Sequence, residues 1–432
     1  MNNAHLQAGS REEVEIALLE SAEMGVPLQL ALDTSGLDLT DWKLLATHHR
    51  PNAGVTGIYE TTYVDPAGAP GSGHLCATTA TVPHTTTPAV RLDAPAQDAA
   101  ALTVWHHPQD PLLPGLGWAC DPAAVAAGVF GQPDADVRLR TVSYRPMRRA
   151  VISAVCGNEE AFLKVVRGGH AGPMYRRHRM LADASVPVPE PYGEPVHDVL
   201  ALHRLPGTPL ANELMANGAA ELDPAALITL LRRFPAEAMT LPARSAWATR
   251  ADDYAQAASA ALPAEQDRIS NLAGQINRLL PDTDPGPVVP SHGDFYEANL
   301  VVDGGIVTGL LDVDAVGPGL LVDELACFIG HLAVLPAVDA RYVHVPAALQ
   351  RFLAAFDTEV DPVGLRIRAA GVALSLVAGA KRTGSVDWFS DARGRLEAAE
   401  RMAASAAGTS RISESENSLI PGSRTSHIGP AS

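Results

Sequence analysis

The spacing of apolar and polar residues changes several times along the chain. Residues 11 to 24 alternate acidic and apolar positions at helical spacing, with Ser10 where a capping hydroxyl belongs, so an opening helix is expected. From Val26 to Pro108 the rhythm shortens. The runs LQLAL (28–32), GIYETTYV (57–64), LCATTATV (75–82) and ALTVW (101–105) are strand-length and separated by Gly, Pro and Asp clusters. Residues 121–130, DPAAVAAGVF, read as a small helix, and Gly131-Gln132-Pro133 breaks the chain, which places a domain edge near residue 135.

Three more strand-like runs follow, over 137–144, 149–155 and 161–167, joined at Arg145-Pro146-Met147 and Gly157-Asn158 into an antiparallel meander. Because strand side chains alternate, AFLKVVR sets Phe162, Lys164 and Val166 on one face and Leu163, Val165 and Arg167 on the other. A lysine on the interior side of such a sheet calls for an anion. A helix is expected over 173–184, then an apolar run from Val199 to Leu205 closed by Pro206-Gly207. Beyond Asn212 the pattern is helical, notably over 224–234, 251–280, 321–332, 346–356 and 365–379. One stretch interrupts it: two short apolar strands, 300–302 and 306–311, flank an Asp303-Gly304-Gly305 turn of hairpin type. From about Ser405 the chain is rich in Ser, Gly and Pro and reads as a disordered tail.

At 432 residues two or three domains are expected, and 47% apolar against 19% charged residues is a globular balance that supplies a large core. A formal charge of −17 argues against a non-specific nucleic-acid binder, which would need clustered Lys and Arg. Cys76, Cys120, Cys156 and Cys327 are widely spaced with no C-x-x-C pair, as buried thiols in a reducing compartment would be. The N-terminus is acidic where a signal peptide is basic, and no continuous apolar run reaches the length of a membrane span. The expectation is a cytoplasmic protein with no membrane partner. His106-His107 sits on adjacent strand positions that point to opposite faces, and Gly115-Leu116-Gly117 lacks a strand-turn-helix setting; neither is counted as a metal or dinucleotide site.

The hairpin carries the chemistry. Asp294 and Asn299 lead into its first strand and Asp312 ends its second, so antiparallel pairing brings two carboxylates and a carboxamide to one open end. Such a set suits phosphoryl transfer, which depends on placement, on Mg2+ bound to ATP oxygens, and on one carboxylate that orients the attacking hydroxyl. His292-Gly293-Asp294 with Asn299, then LLDVDAVGPG with Asp312 and Asp314, resembles the aminoglycoside phosphotransferase and choline kinase-like branch of the protein-kinase fold, whose motifs read H-G-D-x-x-x-x-N and I-D-W-x-x-A-x-x-G. The resemblance covers about residues 136 to 400. It implies Asp294 as catalytic base, His292 as a brace of its loop, and Asn299 and Asp312 as metal ligands. It further implies Asp314 as help at the metal or substrate and Asp323, in LVDELA, as support of the loop from the following helix. Lys164 would grip the α- and β-phosphates, Phe162 would roof the adenine, and the backbone of His203 and Leu205 in ALHRLPGTPL would hydrogen-bond it.

Two features depart from that pattern. The helix after the lysine strand normally carries a glutamate partner for the lysine, yet MYRRHRMLADAS offers Met174, Tyr175, Arg176 and Arg177 there. SYRPMRRA stands in place of a G-x-G-x-x-G loop, with Arg148 and Arg149 as candidates for phosphate contact. The expected fold is α+β: a protein-kinase-like bilobal fold with a small antiparallel β lobe (136–206) and a larger helical lobe holding the catalytic loop (207–404). An extra β-rich N-terminal cap domain (1–135) precedes them and the tail (405–432) follows. The cap resembles that of maltokinase-like sugar kinases in layout and in the strings YRPMRRAV and LKVVR. That resemblance directs the acceptor toward a sugar or amino sugar, with an aminoglycoside next. The expected activity is ATP- and Mg2+-dependent transfer to an alcohol group of a small polar molecule. The competing expectation, a pseudokinase-like module that binds nucleotide or ligand without turnover, rests on the missing glutamate.

Overall fold

The computed structural model describes residues 13–49, 54–83, 89–92, 101–380 and 387–418, so Ser10 and the last part of the expected tail lie outside the described residues. The chain forms two compact units, Met1–Arg179 with Pro189–Arg204, and Met180–Val188 with Leu205–Ser432. Its fold class is α+β, with antiparallel sheets and a larger set of helices.

In the first unit, helix α1 over 13–20 and helix α2 (Gly25–Asp33) pack on one face of an antiparallel sheet. Its strands are β1 (Asp38–His49), β2 (Val55–Val64), β3 (Pro70–Thr78), β4 (Val90–Leu92) and β5 (Leu102–His106), in the order β1-β2-β3-β5-β4. The expected strand at 28–32 is instead part of α2. Leu28, Ala31 and Leu32 follow i, i+3, i+4 spacing and are buried with Leu19, Tyr59 and Val104. A run this short carries no decisive period, and the helix is settled by the apolar sheet face it covers. On β3, Leu75 and Ala77 face the helices, while Cys76 faces the opposite way and packs with Trp105, Tyr144 and Met147.

Helices α3 (Leu116–Ala119) and α4 (Pro122–Gly128) lead into a second antiparallel sheet: β6 (Val137–Arg145), β7 (Arg149–Cys156) and β8 (Glu159–Val166), then, after helix α5 (Ala171–Asp183), β9 (Val199–His203). One face buries Leu163 and Val165 of β8 against Leu113, Leu116 and Val125. Against the other face α5 packs Met174 among Val166, Leu200 and Leu202.

The second unit opens with β10 (Thr208–Pro209), α6 (Leu210–Asn217), α7 (Pro224–Leu231), α8 (Ala251–Ala261) and α9 (Gln266–Leu279). It continues with β11 (Val288–Ser291), β12 (Leu300–Asp303), β13 (Ile306–Leu310) and β14 (Gly317–Leu320). Helices α10 (Leu321–Val338), α11 (Val345–Phe356), α12 (Pro362–Val377) and α13 (Trp388–Ser418) complete it. The same device starts α4, α7 and α12. Asp121, Asp223 and Asp361 each accept a first-turn amide, and the following proline occupies a position whose N–H needs no partner. The core centres on Phe295, Phe328, Phe352 and Phe356, all fully buried. Helix α10 and residues 362–380 are long and apolar enough to cross a membrane, yet 67% of each such window is buried inside the protein, as in core helices. Helix α13 continues to Ser418, past residue 405 where the disordered tail was expected to begin.

Candidate active site

Residues 292–299 form a loop pinned at both ends. Before it, Ser291 of β11 pairs with Gly317 of β14; after it, Leu300 of β12 pairs with Leu310 of β13. Gly304 and Gly305, at φ 53° and 76°, supply the left-handed two-residue turn that closes the β12–β13 hairpin. The Leu311 amide donates to the Asn299 carbonyl at 2.8 Å, extending the ladder one step and setting Asp312 beside Asn299. Asp312 takes a left-handed conformation (φ 55°, ψ 49°) that turns the chain out of the strand, and Asp314 follows, half-buried, in the turn Val313–Ala315.

His292 is fully buried. Its Nε2 lies 2.9 Å from the Leu311 carbonyl and its Nδ1 accepts the Asp294 amide at 3.3 Å. A carbonyl only accepts and an amide N–H only donates, so the proton sits on Nε2 and the ring is neutral. One imidazole therefore ties the loop before Asp294 to the strand end before Asp312. Gly293 sits at φ 82°, where a Cβ would fall 2.8 Å from the Ala315 carbonyl oxygen, so only glycine fits. Phe295 is fully buried near Phe328 and anchors the loop, while the adjacent Asp294 stays half-exposed. The Asn299 amide nitrogen donates to the Asp294 carbonyl at 2.9 Å, so the carboxamide oxygen is the atom that could ligate a cation.

The Asn299 oxygen and the Asp312 carboxylate are hard oxygen donors that could hold Mg2+, an ion that takes one or two protein ligands and fills its shell with phosphate and water oxygens. Among the described residues no group of three or more His, Cys, Asp and Glu forms an all-protein metal site. The negative charge is concentrated. Burial lifts the Tyr296 phenol to about 12, and the carboxylates of Asp294, Glu297 and Asp312 add to that, so all three lie within electrostatic reach of one ring. That ring stacks on His331 at 4.1 Å. Burial also raises Glu297 to about 7.

The loop's support from the following helix arrives one residue later than expected. Asp323 pairs with Arg368 of α12 at 3.4 Å, whereas Glu324 accepts the Gly293 amide at 2.8 Å. Burial raises Glu324 to about 8, against the opposing pull of the Gly293 and His292 amides. Arg244, whose guanidinium covers the Trp247 ring, donates to the Gly293 carbonyl at 3.1 Å. Sequence reasoning missed Glu297, Glu324 and Arg244. Only the acidic pair 323–324 at a helix start carried a signal.

In the first unit Lys164 lies opposite Val151 of β7 and Leu200 of β9, and Phe162 lies opposite Ser153 and Leu202. Both are half-buried on the face where α5 packs; the fully packed face is that of Leu163 and Val165. On α5, Met174 is buried against Val166, Leu200 and Leu202 of that face. His203 was expected to offer its backbone to adenine. Its amide is already donated to the Glu190 carbonyl at 2.8 Å, and its ring stacks on Tyr192 at 3.7 Å. Leu205 begins the second unit.

Residues 151–359 match the family described as APH, the phosphotransferase enzyme family. Among solved structures the chain is similar to a thermostable mutant of the aminoglycoside phosphotransferase APH(4)-Ia in ternary complex with ADP and hygromycin B, at 17% identity over 66% of this chain and 98% of that one, with a TM-score of 0.44. It is similar to a macrolide 2'-phosphotransferase from Brachybacterium faecium at 21% identity, over 63% and 97% of the two chains, with a TM-score of 0.39. A Plasmodium vivax ethanolamine kinase aligns at 12% identity over 64% and 87%, with a TM-score of 0.42. No curated protein matches the sequence.

Proposed function

We propose, for a chain whose residues 151–359 match the phosphotransferase enzyme family, that it uses ATP and Mg2+ to phosphorylate a hydroxyl group of a sugar or amino sugar, with an aminoglycoside next. The observation that carries this reading is the convergence of Asp294, Asn299 and Asp312 at the open end of one hairpin, with His292 fixing the first and last of them through its two ring nitrogens. In it, Asp294 accepts the proton of the acceptor hydroxyl as the hydroxyl oxygen attacks the γ-phosphorus of ATP, while the bond from that phosphorus to the β,γ-bridging oxygen breaks and ADP leaves. Asn299 and Asp312 would hold Mg2+, which neutralises charge on the transferring phosphate when bound. Lys164 takes the nucleotide phosphates, and Phe162, on its face, takes the base.

The alternative, a nucleotide- or ligand-binding module without turnover, draws on the sequence of α5, which reads Met174, Tyr175, Arg176 and Arg177 where the resembled family carries a glutamate. One experiment separates the two. Purified protein with ATP, Mg2+ and a panel of hydroxylated metabolites should release ADP with at least one acceptor, and Asp294→Asn should lower kcat by about 100- to 10,000-fold without altering thermal stability. Nucleotide binding with no ADP release for any acceptor supports the module. An unchanged kcat in Asp294→Asn removes the assigned base.

A further inference from the structure

The N-terminal sheet meets the four-stranded sheet at a buried polar junction. Its centre is Asp110, 1% exposed, in the segment after β5. One carboxylate oxygen, Oδ2, accepts the Tyr144 hydroxyl at 2.8 Å and the Met147 amide at 2.7 Å; the other accepts the Leu112 amide at 2.9 Å. The Tyr144 hydroxyl in turn accepts the Trp105 indole N–H of β5 at 3.4 Å and lies 3.7 Å from Cys76 Sγ of β3. Met147 is buried against Cys76 and Trp105 and sits at φ 60°, a conformation a methionine rarely adopts unless held there. Its carbonyl accepts Arg167 Nε at 2.6 Å. Burial raises the Asp110 carboxyl, and the hydrogen bonds it receives pull the other way.

Met147 belongs to the turn between β6 and β7, and the strand register says what this turn carries. Arg145 pairs with Arg149, Arg149 with Val166, and Val151 with Lys164. Directly opposed residues share a face, and so do residues two apart on one strand. Arg145, Arg149 and Lys164 therefore project from the same face of the sheet. Three cations on one face match a polyphosphate. The turn closes on its own Arg148 amide to Arg145 carbonyl hydrogen bond at 3.0 Å, and Asp110, itself held by Tyr144, fastens it from outside at Met147.

We propose that Asp110 and Tyr144 are positioning residues for nucleotide binding: they lock the β6–β7 turn so that Arg149 stays on the Lys164 face, and the N-terminal sheet thereby sets the affinity for the ATP phosphates. This rests on the phosphotransferase reading for the identity of the anion. It assigns the N-terminal sheet a role in nucleotide affinity rather than in acceptor choice.

The test is direct binding of ATP with Mg2+ by calorimetry, together with KM for ATP and for the acceptor, in wild type, Tyr144→Phe, Asp110→Asn, Arg149→Ala and the double variant Tyr144→Phe/Arg149→Ala. Each single variant is expected to weaken ATP binding about tenfold, with the KM for the acceptor within twofold of wild type. Because Tyr144 acts through the turn, the double variant should bind ATP no worse than Arg149→Ala alone. Additive losses would overturn the proposal, as would equal losses for ATP and acceptor. Unchanged ATP affinity in folded Tyr144→Phe would overturn it as well, and this variant decides the matter if Asp110→Asn does not fold. A wild type that binds no ATP would remove the phosphotransferase reading and this inference with it, whereas normal binding by wild type and variants alike would remove the inference alone.

Discussion

Glu297→Gln is a sharp test of the electrostatics in the 292–299 loop. Glu297 lies three residues after Asp294 and is 5% exposed, with its Oε2 lacking a hydrogen-bond partner among the described residues. Burial is the main cause of its rise from 4.5 to about 7, and the charge of Asp294 adds to it. A carboxyl raised in the folded state ionises first in the unfolded chain, so stability is fully present below about pH 4.5, is lost as pH climbs toward 7, and stays level above. A shift of about 2.5 units at about 1.36 kcal/mol each makes the loss about 3 kcal/mol at pH 8 and under about 1 kcal/mol at pH 5. Glutamine matches the neutral form in shape and does not ionise. Urea denaturation followed by circular dichroism should therefore show Glu297→Gln more stable than wild type by about 2–3 kcal/mol at pH 8, with the gap shrinking by most of that amount at pH 5. A gap that does not change with pH would refute the argument, because it would mean that Glu297 is already ionised in the folded protein at low pH.

Two further outcomes follow from the loop and the helix beneath it. Gly293→Ala forces a Cβ to 2.8 Å from the Ala315 carbonyl at a φ that alanine resists; it should cost about 1–3 kcal/mol and, by shifting Asp294, lower kcat about a hundredfold in steady-state assays. Arg368→Met strands the Asp323 carboxylate, whose partner is 3.4 Å away in the native protein. The loss in chemical denaturation should be about 3 kcal/mol at pH 8 and should shrink toward pH 4, because burial already raises Asp323 and protonation relieves the unpaired charge.

The parts of the site that were legible in the sequence are those fixed by local chemistry. The β12–β13 hairpin is announced by two adjacent glycines between apolar runs, and the alternation of AFLKVVR sets Lys164 and Phe162 on one face without reference to anything distant. What stayed hidden depends on partners far along the chain. Residues 28–32 alternate like a strand but are helical because the β1–β5 sheet offers a face to cover, and β1 was not foreseen because its outward residues are mixed. Whether Asp323 or Glu324 supports the 292–299 loop is a matter of helix phase, settled by which side of α10 carries Arg368 from α12. The His203 amide is committed to Glu190, a contact made only once the 190–203 segment folds back on itself. Asp110 is the extreme case, a loop aspartate whose two most important donors lie at positions 144 and 147. The division has a physical source. A motif survives in sequence when short-range turn and pleat geometry alone brings its members together, and it becomes invisible when tertiary packing must first pay for the approach, as it does at Asp110, where burial opposes ionisation and only converging hydrogen bonds offset the cost.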